Sequence, residues 1–309
     1  MDCLTELRLE SNKNALLSFS GGEISSDGGL VLYSEFIQKI GLHGILGNRL
    51  SFISEAPNSK YTVVDKIIQQ ALFAIAGYED NIDSNDLAHD KLCRMLLEDK
   101  VASQSTLCRH ENSFADRGID AIQAANMDLL KQAYSIEKPD VIIFDMDSTE
   151  DLGYGNQEEL KYNGYFRHNS YHPLLLFDGN TRDMIMSNLR PGNVYTSRDA
   201  VPLLEKAYDS LIGDNKIRVI GRSDSGFADP KIFIFFEERD SDYYIRLRKQ
   251  QRQCSVVGWI IHRIVSGTPG TNDGQWIHSQ PYLSHLPQHH HRLDPKPSPP
   301  QQRCNACTA

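Results

Sequence analysis

The stretch VIIFDMDSTED, residues 141–151, holds an apolar run that leads directly into Asp145 and Asp147. Val141 to Phe144 are β-branched or aromatic and follow a proline, a pattern that predicts a buried strand. Carboxylates at the end of a buried strand are costly unless a metal ion, a basic partner or solvent compensates their charge. The two aspartates therefore mark a candidate functional site at the end of this strand.

Composition limits the class of protein. The chain has 309 residues, 40% of them hydrophobic and 24% charged, which is typical of a globular protein with one or two domains. It has no apolar run near the ~20 residues that span a membrane and no secretory signal pattern. Six scattered cysteines indicate reduced thiols, so we expect a cytoplasmic protein without a membrane partner. The net charge of −9 argues against nonspecific coating of nucleic acid, but it allows a local basic face for DNA.

Residues 1–138 are predicted to form a helical N-terminal domain. Residues 61–80, YTVVDKIIQQALFAIAGYED, place apolar side chains at helical spacing. An amphipathic helix from Leu30 to Ile40 is expected to end at Gly41.

The pattern changes after Pro139, and residues 139–253 alternate between strands and helices. VIIFDMD, PLLLFDGN and DMIMSNL predict three successive strands. A helix over 197–213, a strand ending near Asp224, a second helix and a fifth strand follow. The predicted order β-β-β-α-β-α-β indicates an α/β fold with a mixed sheet.

Residues 254–309 have a different character. They contain no glutamate, and Asp273 and Asp294 are their only acids. The segment also holds seven of the chain's 13 prolines and six of its 11 histidines. A sequence without apolar periodicity cannot build a core, so we expect a disordered or out-of-frame tail.

Two interpretations of FDMDST compete. In a phosphatase, Asp145 would be the nucleophile and Asp147 the acid/base residue, with Thr149 in the matching position. In a two-metal nuclease or transposase of RNase H type, carboxylates at the ends of the first and fourth strands together hold divalent ions. The predicted strand order favours the second interpretation and would bring Asp147 beside Asp224. A basic residue poised beside Asp145 would instead favour the phosphatase.

Further blocks of sequence point to one family. They are SGGEISSDGGLVLYSEF, ALFAIAGYEDNIDSNDLAHD, ASQSTLCRHEN, DMDSTED, YNGYFRHNSYHPLLLFDG, LRPGNVY and RSDSGF. Their content and order over residues 15–250 resemble the DDE transposases of bacterial insertion sequences, in particular insertion-sequence family 1380. The resemblance implies an RNase H-like catalytic domain in which Asp147 and Asp224 are catalytic and metal-binding residues, with Asp145 as the alternative for the first position. It also implies Mg²⁺ or Mn²⁺ as cofactor.

The resemblance implies a DNA partner as well. The terminal inverted repeats of the transposon would be bound, with DNA-end contacts from the N-terminal domain and a homo-oligomer assembled on the DNA at the bacterial nucleoid. The residues expected to contact phosphates are Arg190, Arg222, Arg246, Arg248 and Lys249, with Arg167, His168 and Arg198 as further members of a basic face. Tyr162, Tyr165 and Tyr171 are suited to stacking on bases, but burial against the sheet is the expectation for them.

The third acid of a DDE site is missing from this sequence. In the family it is a glutamate on a helix well beyond the fifth strand, whereas this chain departs from the family pattern near Arg252 and has no glutamate afterwards. We therefore expect a truncated transposase that is inactive alone. A DNA-binding remnant that occupies transposon ends without cutting them remains the non-enzymatic alternative.

Overall fold

The computed structural model describes residues 6–10, 16–18, 27–54, 58–114, 116–213, 217–247 and 275–278. Its N-terminal part is helical, as predicted, and is preceded by two short antiparallel strands that the sequence pattern does not predict. The elements are β1 (Glu6–Arg8), β2 (Leu16–Ser18), α1 (Leu30–Lys39), α2 (Leu42–Leu50), α3 (Val63–Ala76), α4 (Asp83–Leu87), α5 (Lys91–Leu96), α6 (Gln104–Glu111) and α7 (Asp116–Ile136).

Helix α3 shows how local sequence sets these boundaries. Thr62 accepts a hydrogen bond from the backbone N–H of Asp65, while the Asp65 carboxylate accepts one from the backbone N–H of Thr62, which together form a capping box. Gly77 ends the helix at a φ of 89°, which glycine adopts without strain. Between these ends, Ile68 and Leu72 are buried one turn apart.

Helix α7 connects the helical part to the sheet. Ala121 and Ala125 pack in the core of the N-terminal helices, whereas Met127 and Leu130 pack in the core beneath the sheet. Near the end of α7, the Tyr134 hydroxyl donates a 2.8 Å hydrogen bond to the fully buried Asp178. One helix therefore contributes to both cores.

His110 on α6 is a buried titratable group of the helical part. Its side chain is 5% exposed, and the centroid of its ring lies 4.7 Å from that of Phe114 in an edge-on contact. Burial, with a smaller contribution from Lys66, lowers the pKa of His110 to about 4. The native state therefore favours the neutral imidazole.

This shift predicts that the fold loses stability in mild acid. Because the folded pKa lies below the unfolded value of 6.5, the contribution is complete above pH 6.5 and is lost as the pH falls towards 4. We expect His110 to account for up to about 3 kcal/mol of the loss in unfolding free energy over this range. Urea unfolding of His110→Leu should show a flatter pH profile than the parent, whereas His43→Leu, at an exposed position of α2, should not. Equal slopes for both variants would contradict this prediction.

The second part of the chain forms the mixed sheet. Its elements are β3 (Val141–Ser148), β4 (Asp151–Leu152), β5 (Lys161–Asn163), β6 (His168–Tyr171), β7 (Leu174–Asp178), β8 (Met184–Asn188), α8 (Ala200–Leu211), β9 (Arg218–Ser223), a 3-10 turn (Ser225–Phe227), α9 (Pro230–Glu237), β10 (Asp242–Leu247) and β11 (Gln275–His278). The strands lie in the order β11-β10-β9-β3-β7-β8. β7 is antiparallel to β3 and to β8, while β9 is parallel to both β3 and β10. This order confirms the predicted mixed sheet.

The two faces of the sheet differ in character. On one face, Ile142, Phe144 and Met146 of β3 are almost fully buried in a core that also contains residues of α8 and α9. The opposite face carries Ile143 and Asp145, which are only partly buried. The strict alternation along β3 follows from the two-residue period of a strand. The face opposite the helices is therefore where polar groups reach solvent.

A second, three-stranded sheet lies between β3 and β7 in sequence. Its order is β4-β6-β5, with both pairs antiparallel. The sequence analysis does not predict it, because its strands have two to four residues and are mostly exposed, so they lack an apolar alternation. This small sheet follows directly on the DMDST stretch.

Strand β11 shows that the expectation of no packed structure in residues 254–309 is wrong in part. Residues 275–278, within the segment for which no packed structure is expected, pair antiparallel with β10, and Trp276 stands opposite Arg246. For these four residues the sheet continues beyond the fifth predicted strand. The remainder of residues 254–309 lies outside the described residues. No helix of the described part of the chain is long and apolar enough to cross a membrane.

Candidate active site

β3 and β9 are parallel neighbours, so their carboxyl ends lie at the same end of the sheet. Asp145 pairs with Arg222 in the register, and the pairing continues for one further residue on each strand. The next residue after this last pair is Asp147 on β3 and Asp224 directly after β9, and both are exposed. β3 ends at Ser148 rather than at Asp147, so Asp145 and Asp147 share one face of the sheet.

Asp145 is bound by Arg222. The Nε of Arg222 donates to Oδ1 of Asp145 at 3.0 Å, and Nη2 donates to Oδ2 at 2.5 Å. This two-point geometry is the strongest form of an arginine–carboxylate pair. The hydrogen bond to Asp145 raises the pKa of Arg222. Both oxygens of Asp145 are thus occupied, which leaves Asp147 as the strand-end carboxylate beside Asp224.

The position of Arg222 bears on the phosphatase alternative. A basic residue does lie beside Asp145, which the sequence analysis treats as a sign of a phosphatase. Arg222, however, holds the carboxylate itself through both oxygens rather than standing ready for a phosphate. Two hydrogen bonds from a guanidinium group withdraw electron density from the carboxylate and lower its nucleophilicity. The pair therefore disfavours attack by Asp145, and the sheet order favours the nuclease-type arrangement.

Asp147 and Asp224 each have one oxygen that accepts no hydrogen bond from the residues that the structure describes. Oδ1 of Asp147 accepts a 2.7 Å hydrogen bond from the backbone N–H of Ser148. Oδ1 of Asp224 accepts a 2.8 Å hydrogen bond from the backbone N–H of Gly226 at the start of the 3-10 turn. A Cβ at position 226 would lie 2.7 Å from the Thr196 side chain, so glycine is required for this close approach. Both carboxylates are oriented by backbone, and their second oxygens remain available for a ligand.

Two histidines support the end of β3: His172, which had no predicted role, and His168, which was expected in the basic face. The buried His172 lies 3.1 Å from the Ser148 hydroxyl through Nε2 and 3.2 Å from the Val194 carbonyl through Nδ1. Burial lowers the pKa of His172, and its neutral form donates from Nδ1 and accepts from the serine hydroxyl. Nε2 of His168 contacts the carboxylate of Glu150 on the segment just after DST. The repeated histidines in HNSYH are the only sequence signal for this support.

Arg190 is a buried structural residue rather than a surface contact. Its side chain is 2% exposed, and Nε donates a 2.9 Å hydrogen bond to the His172 carbonyl. Nη1 donates to the carbonyls of Thr196, at 3.0 Å, and of Arg198. Arg190 thus fixes His172, which contacts Ser148 beside Asp147, and Thr196, against which Gly226 packs. The prediction that Arg190 contacts phosphates at the surface is therefore wrong, because its side chain is buried.

The other residues expected to contact phosphates differ in their surroundings. Arg222 and Arg246 are exposed and lie on the face that carries the two aspartates. In the register of β10 with β9, Arg246 is the residue after the Ile245–Ser223 pair, next to the position of Asp224. Arg222 is engaged with Asp145, as described above. Arg248 and Lys249 lie outside the described residues. Within the described ranges, no group of three or more His, Cys, Asp or Glu residues is placed to hold a metal ion.

The fold and the site together define a class of protein. Three successive antiparallel strands, a fourth strand parallel to the first, and carboxylates at the ends of the first and fourth are the arrangement of RNase H-like domains. A family model described as transposase DDE domain group 1 matches residues 7–285, and the chain belongs to this family. The match continues past Arg252, where the sequence analysis expects the resemblance to end.

Solved structures that match the chain at low identity include two transposase complexes. The piggyBac transposase synaptic complex with hairpin DNA shares 13% identity with the chain at a TM-score of 0.38, over 74% of this chain and 52% of that one. The Mos1 mariner paired-end complex with Mn shares 12% identity at a TM-score of 0.25, over 73% of this chain and 69% of that one. The chain thus spans about half the length of the piggyBac chain. No curated protein matches it.

Proposed function

We propose that this chain carries the first two catalytic acids of an insertion-sequence transposase, which cuts and joins DNA strands in a metal-dependent reaction. The observation that carries the proposal is the register of β3 and β9, from which we infer that Asp147 and Asp224 lie next to each other at the carboxyl ends of the two strands. Membership in the transposase DDE domain family supports the same chemistry. Asp147 and Asp224 would be the metal ligands, and Arg222 would fix Asp145 outside the ligand set.

The donor set fits a hard divalent cation. Mg²⁺ and Mn²⁺ prefer carboxylate oxygens and water, and each aspartate offers one oxygen that is not used by backbone. When bound, such ions supply Lewis-acid activation of water or a 3′-hydroxyl and stabilise the leaving oxygen. The residues of this chain orient those ligands: Ser148 and Gly226 fix the carboxylates through their N–H groups, and His172 with Arg190 holds the segments behind them.

The third acid is not offered by this sequence. The described residues contain no third carboxylate grouped with Asp147 and Asp224, and no glutamate occurs after Glu238. Mg²⁺ demands near-octahedral geometry, so the loss of one ligand loosens the site. We therefore propose that the 309-residue chain binds transposon ends, with Arg246 near the phosphates, but does not cleave them. Assembly of several copies on the DNA belongs to the same proposal.

A strand-cleavage assay tests this function. Labelled duplexes carrying the DNA that flanks the gene would be incubated with Mg²⁺ or Mn²⁺ and either of two proteins. One is the chain itself, and the other carries a segment with a glutamate-bearing helix in place of residues 286–309, after the end of the family match. We expect cleavage only by the second protein and its loss in Asp147→Asn, because two carboxylates cannot clamp both metals.

Asp151 provides a matched control for the cleavage assay. Asp151→Asn in the second protein, at an exposed position of β4, should leave cleavage unchanged. Equal cleavage by both proteins, abolished in each by Asp147→Asn, would show that the chain is complete in its catalytic acids. Hydrolysis of a phosphate monoester that is lost in Asp145→Asn would instead support the phosphatase.

A further inference from the structure

The small sheet next to the acidic strand end presents exposed aromatic rings. Tyr165 is 87% exposed, Tyr154 77% and Tyr162 58%. The burial expected of Tyr162 and Tyr165 is therefore wrong. Tyr171 behaves as expected, since it is partly buried and its hydroxyl donates a 2.5 Å hydrogen bond to the Glu158 carbonyl. Three large aromatic side chains within 12 residues of sequence are thus open to a binding partner.

The turn between β5 and β6, residues 164–167, is held firmly although its side chains are exposed. Oδ1 of the buried Asn163 accepts hydrogen bonds from the backbone N–H groups of Tyr165, at 2.9 Å, and Phe166, at 3.2 Å. The N–H of Arg167 donates to the Asn163 carbonyl at 2.8 Å, and Arg167 takes a left-handed φ of 68°. Nδ2 of Asn163 donates to the Gly192 carbonyl at 2.8 Å. The turn thus presents Tyr165 and Arg167 from a fixed backbone.

The position of this turn relative to Asp147 is also fixed. β4, which starts soon after Asp147, pairs with β6, and the contact between His168 and Glu150 joins the base of the turn to the same segment. Below the hairpin, a Cβ at position 192 would lie 2.2 Å from the Ser170 carbonyl oxygen, so the Gly192 backbone is in direct contact with β6.

The charge and the exposed ring of the turn favour contact with a nucleotide base over contact with backbone phosphates alone. Residues 151–171 carry Asp151, Glu158 and Glu159 against Lys161 and Arg167, a net charge of −1 with histidine neutral. A surface of this charge does not attract the duplex backbone, whereas an exposed tyrosine ring stacks on any base that has left its own stack. A neighbouring arginine supplies a single phosphate contact beside that base.

We propose that the β5–β6 turn is a base-stacking site, in which Tyr165 stacks on an unpaired base of the transposon end close to the phosphodiester that faces Asp147 and Asp224. Arg167 contacts the adjoining phosphate. This assignment rests on the proposed transposase function and adds the form of DNA that the chain recognises. It requires that the bases near the scissile phosphate be unstacked in the complex.

Fluorescence of 2-aminopurine tests the proposal. The full chain would be titrated with end duplexes that carry the fluorophore at each of the positions nearest the cleavage site. We expect a change in fluorescence at one of these positions with the parent chain and none with Tyr165→Ala, and an affinity for the ends lower by roughly tenfold in that variant. Tyr165→Phe should restore both readouts, because the ring is retained. Arg167→Gln should reduce the salt dependence of binding by about one phosphate contact.

Two controls keep the outcomes distinct. Tyr33→Ala removes an exposed ring on α1 and should change neither readout, and thermal melting confirms that each variant is folded. Unchanged fluorescence on binding of the parent, or a Tyr165→Ala variant that behaves like the parent, would overturn the stacking site while end binding stands. Equal affinity of the parent for end duplexes and scrambled duplexes would instead overturn the proposed function itself.

Discussion

Replacing Asp147 by Asn should weaken Mn²⁺ binding by roughly tenfold or more, because changes even to the partners of metal ligands cost 10–100-fold in affinity. Asp147 and Asp224 supply the two carboxylates that stand side by side, so Asp224→Asn should have an effect of the same size. Calorimetry or electron paramagnetic resonance of free Mn²⁺ measures this affinity without any requirement for catalysis.

The alternative first ligand is tested in the same experiment. Asp145→Asn should change Mn²⁺ affinity by less than about twofold, since both oxygens of Asp145 are bound to Arg222. Asp151→Asn serves as the control for the loss of a nearby exposed carboxylate. A loss with Asp145→Asn as large as that with Asp147→Asn would place Asp145 in the ligand set.

Replacing Arg190 by Met should lower the free energy of unfolding by about 3–5 kcal/mol, because one buried and two partly buried carbonyls lose their charged donor. Arg190→Lys should recover little of this loss, since an ammonium group cannot reproduce the planar arrangement of guanidinium donors. The matched control is Arg198→Met. The Arg198 side chain is 66% exposed, and its change should stay within about 0.5 kcal/mol.

Urea unfolding of the variants gives these differences directly. The stability loss distinguishes the buried role of Arg190 from the phosphate contact expected from sequence. An Arg190→Met variant with parental stability but weaker DNA binding would restore the original interpretation. Because Arg190 fixes both His172 and Thr196, we also expect looser Mn²⁺ binding in the variant.

The sheet is predictable from sequence because its main strands carry strong local signals. Val141 to Phe144 alternate between the core and the opposite face as a strand period requires, and the helix over α8 is apolar along one side. The order of strands and helices then leaves few topologies, among which the mixed sheet is one. Asp147 and Asp224 follow from that order, because each ends a predicted strand.

Other features depend on contacts that a single sequence does not encode locally. The Asp145–Arg222 pair joins residues 77 positions apart and depends on the register of two strands. Arg190 has the same charge as any surface arginine, and only the chain folded around it shows its burial. The small sheet escapes prediction because its short, exposed strands are held by pairing and by Asn163 rather than by apolar burial.

The most direct test of the central claim is a crystal of the chain grown with Mn²⁺, with anomalous scattering recorded near the manganese edge. We expect an anomalous peak between the second oxygens of Asp147 and Asp224, at a coordination distance of about 2.2 Å from each. Asp145 should remain paired with Arg222 in the same map. A peak bound to Asp145 with Arg222 displaced, or the carboxylates of Asp147 and Asp224 on opposite faces of the sheet, would contradict the assignment.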